Sequence, residues 1–167
     1  MSEIAHTTAS MLLPEQVLVT HCIEHKFTFA LAESCTGGMI AARITSISGS
    51  SEIFNGGVVC YANAVKHDVL GVPQEILETN GAVSAACAKA MAEGARKVLK
   101  ATIAVSVTGI AGPKGGTPEK PVGLVFIGVA TESAVSVEEH IFSGDRESIR
   151  KQAADAAVIA ALRAANQ

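Results

Sequence analysis

Two near-continuous apolar runs in the second half of the chain, Thr102 to Thr108 and Val122 to Thr131, constrain the fold more than any other feature. Both have strand length and are rich in β-branched residues, and neither alternates apolar with polar positions, so each reads as a strand covered on both faces. Ala134 to Phe142 follows as a third consecutive strand. Covering such a sheet takes helices, and the composition supplies them: 49% of the 167 residues are apolar, while 17% are charged and 4% aromatic. That mixture of small and branched residues suits helices packed on a buried sheet, in one domain of ordinary size.

The first half of the chain alternates the two periodicities. Val17, Leu18, Cys22 and Ile23 recur at helical spacing between Pro14 and His25. Phe27 to Ala32 is β-prone, Met39 to Ile47 is helical again, and Phe54 to Tyr61 fits an inner strand after the break at Gly49-Ser50-Ser51. Asn63 is a good N-cap for a helix through Leu70. Pro73 and Ser84 start two more helices, with Gly81 stopping the first, and the longer one runs through Ala88, Met91, Ala95 and Leu99. Asp145 caps a last helix carrying Ile149, Ala153, Ala156, Ile159 and Leu162. Helices thus separate the early strands while the later three are consecutive. The expected architecture is α/β: a single three-layer domain over residues 12–167, with a mixed, mostly parallel sheet flanked by helices. Residues 1–11 are expected to form a tail that can be disordered.

Charge and cysteine usage exclude several functions. The net charge is −3 and the basic residues are dispersed, so no basic stripe tracks the phosphates of a nucleic acid. A small phosphorylated ligand is still allowed, since one phosphate needs little more than a helix N-terminus and an Arg. Cys22, Cys35, Cys60 and Cys87 are widely spaced and read as reduced thiols. There is no secretory leader pattern, and no apolar segment approaches the roughly 18 residues that span a bilayer. A soluble cytoplasmic protein is expected, and an apolar small-residue domain of this kind can pair with itself.

The turn Ala32-Glu33-Ser34-Cys35-Thr36-Gly37-Gly38 places a hydroxyl between a strand end and a helix start, where ligands of α/β sheets gather and backbone N–H groups point outward. Such a turn can present a nucleophile with its oxyanion hole. It follows neither the G-x-S-x-G nor the P-loop pattern, and on the residues alone the commoner reading is a capped helix, with Ser34 or Thr36 as the cap. No His is placed to complete a triad with Ser34. Lys66, in the first turn after Asn63, is the alternative base, because the helix dipole and partial burial both lower the pKa of an amine there. Tyr61 can orient that amine or relay a proton, although a solvated Lys beside a core Tyr is the plainer reading. Cys35 reads as a buried structural thiol rather than a second nucleophile. His21-Cys22-Ile23-Glu24-His25 matches the H-x-x-E-H zinc pattern, but no further acidic ligand is identifiable and a polar helix face explains it. Arg146 and Arg150, spaced i, i+4, read either as a phosphate clamp or as exposed charges.

Taken together, Ala32 to Gly38, Gly49-Ser50-Ser51, Gly57 to Lys66, Gly81-Ala82-Val83-Ser84, Thr108-Gly109-Ile110-Ala111-Gly112-Pro113, Lys120-Pro121-Val122-Gly123 and Phe142 to Arg146 occur in one order and spacing that resembles the CinA C-terminal family, the bacterial nicotinamide-nucleotide amidases. The similarity covers about residues 12 to 165. The resemblance implies hydrolysis of the carboxamide of nicotinamide mononucleotide to nicotinate mononucleotide and ammonia, in pyridine nucleotide salvage, with no metal and no cofactor. It implies a Ser/Lys hydrolase with Ser34 and Lys66 as the pair and Tyr61 beside them. Substrate contacts are implied from Glu33, Cys35, Thr36, Gly37 and Gly38 in the turn, from Asn63, from Thr108, Gly109, Gly112 and Pro113, and from Arg146. Neutral Lys66 would take the proton of Ser34 while backbone N–H groups near Cys35 to Gly38 hold the oxyanion. That reading requires Ser34 and Lys66 to meet within roughly 3 Å or one water. Full-length CinA proteins carry an additional N-terminal domain resembling molybdopterin-binding enzymes and linked to ADP-ribose pyrophosphatase activity; 167 residues leave no room for it, so that activity is not expected here, nor is a role on DNA. The rivals are a pyridine-nucleotide sensor that binds without turnover, and a zinc hydrolase built on His21 and His25.

Overall fold

A computed structural model describes residues 12–167; the tail expected over residues 1–11 lies outside the described residues. The elements are α1 (Pro14–His25), β1 (Phe29–Glu33), α2 (Met39–Thr45), β2 (Phe54–Val59), α3 (Asn63–Asp68), α4 (Gln74–Thr79), α5 (Ala85–Val98), β3 (Ile103–Gly109), β4 (Leu124–Ala130), β5 (Val135–Ile141) and α6 (Arg146–Ala165), with a single 3-10 turn at Ser50–Glu52. The five strands form one sheet in the order β2-β1-β3-β4-β5. β1 is parallel to both β2 and β3, whereas β4 is antiparallel to both β3 and β5. Four strands therefore point one way and β4 opposes them, which gives the mixed sheet expected of consecutive late strands.

The sheet sorts its side chains by size. In β1 and β3 the larger residues Phe29, Leu31, Ile103, Val105 and Val107 join Leu18, Ile40, Ile44, Ile149 and Val158 in the core shared with α1, α2 and α6. Ala30, Ala32 and Ala104 of the same strands turn to the other face, against Cys87, Met91 and Ala95 of α5. Each fully buried Leu, Ile or Phe contributes roughly 1.5–3 kcal/mol, so the α1/α2/α6 face carries most of the apolar stabilisation. The small-residue face lets α5 approach closely. Ser106 Oγ donates to the Ala88 carbonyl at 2.6 Å, and a Cβ on Gly128 would sit 2.6 Å from that same oxygen. Three layers result, helix on sheet on helix.

The starts of α5 and α6 follow their sequence signals and that of α3 does not. Ser84 Oγ accepts from Cys87 N–H and Asp145 Oδ1 from Ser148 N–H, as expected. Asn63 is not a cap: Ala62 holds the N-cap position in extended backbone and Asn63 is already the first helical residue. The strands also end inside their apolar runs, β4 starting at Leu124 and β2 stopping at Val59, and β2, expected as an inner strand, is an edge strand with alternating exposure.

Candidate active site

The carboxyl ends of the three parallel strands β2, β1 and β3 lie side by side. In register, Glu33 pairs with Val59 on one side and with Val107 on the other. The ladder runs one step further, since Ser34 N–H donates to the Val107 carbonyl at 2.9 Å and Cys60 N–H to the Glu33 carbonyl at 2.8 Å. Ser34 is thus the first residue after a central strand, held by sheet hydrogen bonds.

The turn that follows has left-handed backbone at Gly37 (φ 62°) and Gly38 (φ 97°), a pair of conformations that glycine adopts without penalty. Gly38 is the N-cap of α2 and supplies no side chain for capping. That role falls to Glu33. Its buried carboxylate reaches over the turn and accepts from Gly38 N–H (2.9 Å), Ile40 N–H (3.2 Å) and Ala41 N–H (2.8 Å). Neither Ser34 nor Thr36 is the cap; the anion at the positive end of α2 is Glu33. A charge-assisted set of this kind is stronger than a neutral hydroxyl cap.

Lys66, in α3, is only 1% exposed. Its Nζ lies 3.0 Å from Ser34 Oγ, 2.7 Å from the Cys60 carbonyl and 3.4 Å from the Tyr61 carbonyl. Carbonyls accept only, so the two of them take two N–H donors of the amine. The third direction faces Ser34 Oγ, which can accept an N–H from an ammonium or donate its proton to the lone pair of a neutral amine. Among the described residues no carboxylate forms an ion pair with Lys66. Ser34 and Lys66, 32 positions apart, are in direct contact.

These two side chains open onto a cavity of about 270 Å³. Of the residues expected at the site, Ser34, Cys35, Tyr61, Asn63, Lys66, Thr108, Gly109, Gly112 and Arg146 line it. Glu33, Thr36, Gly37, Gly38 and Pro113 do not: Glu33 is committed to α2, Thr36 is fully buried, and the Gly37 and Gly38 turn lies behind Ser34. Thr108 Oγ1 donates to the Ala82 carbonyl at 2.7 Å, so its hydroxyl pins the loop before α5 and keeps only its lone pairs for a ligand. Tyr61 meets Lys66 through its backbone carbonyl; its phenol oxygen accepts instead from Arg146 Nη2 at 3.0 Å, and Arg146 Nη1 donates to the Gly112 carbonyl at 2.7 Å. Arg146 thereby ties the β2 end to the Gly/Pro loop across the cavity mouth.

Lining residues that the sequence did not single out are Ala82, Val83, Ile110, Ala111, Lys114 and Gly115. Their signal was present in the Gly81 to Ser84 motif and in the long Gly/Pro loop. Arg150 is not part of a phosphate clamp. Its Nε donates to the Cys35 carbonyl at 3.1 Å and its Nη2 to the Thr36 carbonyl at 2.8 Å. A larger hollow of about 480 Å³ lies between α4 and α5, lined by Leu70, Pro73, Ile76 and Ala90 with Lys89, Glu93 and Lys97 at its rim. No Ser, Thr, Cys or His lines it.

Two other candidates resolve structurally. All four cysteines are unpaired and buried, and desolvation pushes the thiols of Cys22, Cys35 and Cys60 up to about 11, so Cys35 stays protonated beside Ser34 at neutral pH. His21 and His25 stack at 4.0 Å, with His21 Nε2 on the Ala165 carbonyl and His25 Nδ1 on the His21 carbonyl. Among the described residues no three His, Cys, Asp or Glu side chains converge as a metal site, there or elsewhere. No helix among them is long and apolar enough to cross a membrane.

Comparison with known proteins agrees with the motif order. Residues 13–165 match the CinA C-terminal domain family. A competence-damage inducible protein of a Thermoanaerobacter species is 53% identical over 136 residues, 81% of this chain and 33% of the relative. A CinA-like protein of Geobacter metallireducens is 55% identical over 127 residues, 76% of this chain and 31% of the relative. The chain therefore spans about a third of the length of these curated relatives. Among solved structures, the competence/damage inducible protein CihA of Agrobacterium tumefaciens superposes with TM-score 0.86 at 41% identity, covering 93% of this chain and 99% of that one. A CinA superfamily protein of Klebsiella pneumoniae gives 0.88 at 30% identity, covering 92% and 96%.

Proposed function

This chain belongs to the CinA C-terminal domain family, and from that premise we propose that it is an amidohydrolase that converts nicotinamide mononucleotide to nicotinate mononucleotide and ammonia by a Ser34/Lys66 mechanism. The observation that carries the reading is the 3.0 Å contact between Ser34 Oγ and the buried Lys66 amine at the floor of the cavity. A serine hydroxyl is a weak nucleophile until a base takes its proton, and Lys66 Nζ is the base within reach.

In the proposed reaction Ser34 Oγ attacks the carboxamide carbon as its proton passes to the Lys66 amine. The carbonyl oxygen becomes an oxyanion. Two turn N–H groups are already spent, Gly37 on the Ser34 carbonyl and Gly38 on Glu33. Among the described residues those of Cys35 and Thr36 donate to no protein group; Thr36 is fully buried, and the N–H of Cys35, which lines the cavity, is assigned to the oxyanion. The Lys66 ammonium then gives its proton to the amide nitrogen, the C–N bond breaks, ammonia leaves, and a Ser34 ester remains. Water attacks the ester carbon and passes one proton to Lys66. That proton returns to Ser34 Oγ as the ester C–O bond breaks and the nicotinate product leaves.

Ammonia release from nicotinamide mononucleotide by wild type and Ser34→Ala, with and without a chelator, tests this reading. Turnover by wild type, unaffected by chelator and abolished in Ser34→Ala, is expected. Nucleotide binding without ammonia release would identify a sensor instead, and loss with chelator would point to a metal.

A further inference from the structure

Outside the dyad, the most unusual charged group near the site is Arg150. It is half-buried, lies behind the cavity wall rather than in the cavity, and has no carboxylate partner among the described residues. Both of its contacts are backbone carbonyls of the nucleophile turn, Cys35 at 3.1 Å and Thr36 at 2.8 Å. A guanidinium with a carboxylate available would ordinarily pair with it. Here the planar fork is spent on two successive peptide groups.

The peptide bond is planar and trans, so the N–H of a peptide points opposite to its C=O. Holding the Cys35 carbonyl therefore fixes the direction of Thr36 N–H. Holding the Thr36 carbonyl fixes Gly37 N–H, which donates to the Ser34 carbonyl at 3.1 Å. That carbonyl shares its peptide with Cys35 N–H. The bond to the Thr36 carbonyl thus sets, through Gly37, the Cys35 N–H that the proposed reaction assigns to the oxyanion, and the bond to the Cys35 carbonyl holds the peptide that follows it. Donation to a carbonyl also polarises its peptide and strengthens the N–H on the far side.

We propose that Arg150 is the positioning residue of the oxyanion hole: it holds the Cys35–Thr36 and Thr36–Gly37 peptides from behind and aligns the Cys35 N–H before substrate arrives. The inference rests on the Ser34/Lys66 reading. It also divides labour along one helix face, since Arg146, one turn earlier on α6, bridges Tyr61 and Gly112 while Arg150 holds the turn after Ser34.

Loss of one oxyanion donor costs about 10²–10³-fold in kcat. Arg150→Ala misaligns the donor without deleting it, so kcat should fall by about 10- to 100-fold with KM changed by less than about threefold. Guanidinium ion added to Arg150→Ala should restore part of kcat, which a merely structural loss would not show. Arg150→Lys keeps the charge but not the fork, so it should fall between wild type and Arg150→Ala, and it carries the test if the alanine variant does not fold. A second readout is independent of the nucleotide: an alkyl fluorophosphonate, on which Ser34 Oγ displaces fluoride while Lys66 takes the proton, also places negative charge on an oxygen facing the turn. Phosphonylation of Ser34 should slow in Arg150→Ala and Arg150→Lys in step with kcat. Wild type that is phosphonylated but releases no ammonia would defeat the substrate assignment alone, and the Arg150 comparison would still decide this inference. Unchanged kcat and phosphonylation in both variants, a rise in KM alone, or no rescue by guanidinium would overturn it, as would wild type whose Ser34 is not phosphonylated at all.

Discussion

Replacing Lys66 with methionine separates catalysis from folding more sharply than any other change at this site. Methionine has nearly the length of the lysine stem and no donor, so the buried channel stays filled while the Cys60 and Tyr61 carbonyls lose their partner. Each neutral hydrogen bond is worth about 1 kcal/mol net and an unpaired buried acceptor about 1–3 kcal/mol. Burial of an apolar group in place of an amine offsets part of that, leaving a destabilisation of about 1–3 kcal/mol. At about 2–4 °C per kcal/mol for a chain of this size, Tm should fall by roughly 2–12 °C and the protein should remain folded at 25 °C. Catalysis should collapse instead. General acid–base transfer contributes about 10²–10⁴-fold, and Lys66 serves as base and acid in both halves of the proposed reaction, so the upper figure applies: about 10⁴-fold in kcat, or roughly 5.5 kcal/mol of barrier. Because Ser34 and Lys66 act as one unit, Ser34→Ala/Lys66→Met should be no slower than the slower single variant. The assay is ammonia release coupled to glutamate dehydrogenase, read beside a thermal melt. If Lys66→Met keeps more than about a hundredth of wild-type kcat, or if the two losses multiply in the double variant, Lys66 is not the base.

Three further outcomes follow from other parts of the molecule. Glu33→Gln offers one acceptor oxygen to three backbone donors and turns an NH₂ toward one of them, so urea unfolding should show a loss of about 2–3 kcal/mol. Retention of full stability would mean that the carboxylate cap contributes little. The thiols of Cys22, Cys35 and Cys60, raised by burial from 9.0 to about 11, are neutral in the fold where the unfolded chain would ionise them. Their contribution is complete below pH 9 and is lost as pH rises toward 11, so Tm should decline across that window, more shallowly in Cys22→Ala; equal slopes would refute the assignment. Arg146→Ala removes the bridge between Tyr61 and Gly112 and should act mainly through KM, by about tenfold, whereas Tyr61→Phe keeps the carbonyl that meets Lys66 and should cost less. Substrate titrations of both variants distinguish this from a proton relay through the phenol, which predicts a loss in kcat.

The elements were legible where one physical signal dominated. Strands buried on both faces show as unbroken apolar runs, and Ser84 and Asp145 cap helices as their side chains dictate. Asn63 misleads because cap preference concerns a side chain, whereas the position was decided by the chain leaving β2: Ala62 is extended, and the helix has begun by Asn63. Glu33 misleads in the opposite way. An acidic residue at a strand end reads as facing a ligand, but its partners are N–H groups five to eight residues on, a reach that only the folded turn creates. Tyr61 shows a third limit. Sequence assigns roles to side chains, and here the main-chain carbonyl meets the amine while the phenol goes to Arg146. Arg150 was visible as the i+4 partner of Arg146, but a charged residue on a helix gives no sign that its acceptors will be carbonyls.

The distance between Ser34 and Lys66 depends on the sheet more than on either residue. Ser34 continues β1 and Cys60 continues β2, and the pairing of Glu33 with Val59 sets them beside each other. The Cys60 carbonyl then supplies the shortest of the Lys66 contacts, so the same β2 backbone that flanks Ser34 also anchors the Lys66 amine. A one-residue slip between β1 and β2 would move Ser34 by about 3.3 Å and turn its side chain to the opposite face, enough to abolish a 3.0 Å contact. Register is fixed against such a slip by burial, because the slip would exchange Phe29 and Leu31 with Ala30 and Ala32 between a face built for large side chains and one built for small ones. Core packing that has no contact with substrate thus determines whether the hydroxyl and the amine meet, and conservative size changes in β1, such as Ala30→Val, are the remote substitutions to which the dyad should be most sensitive.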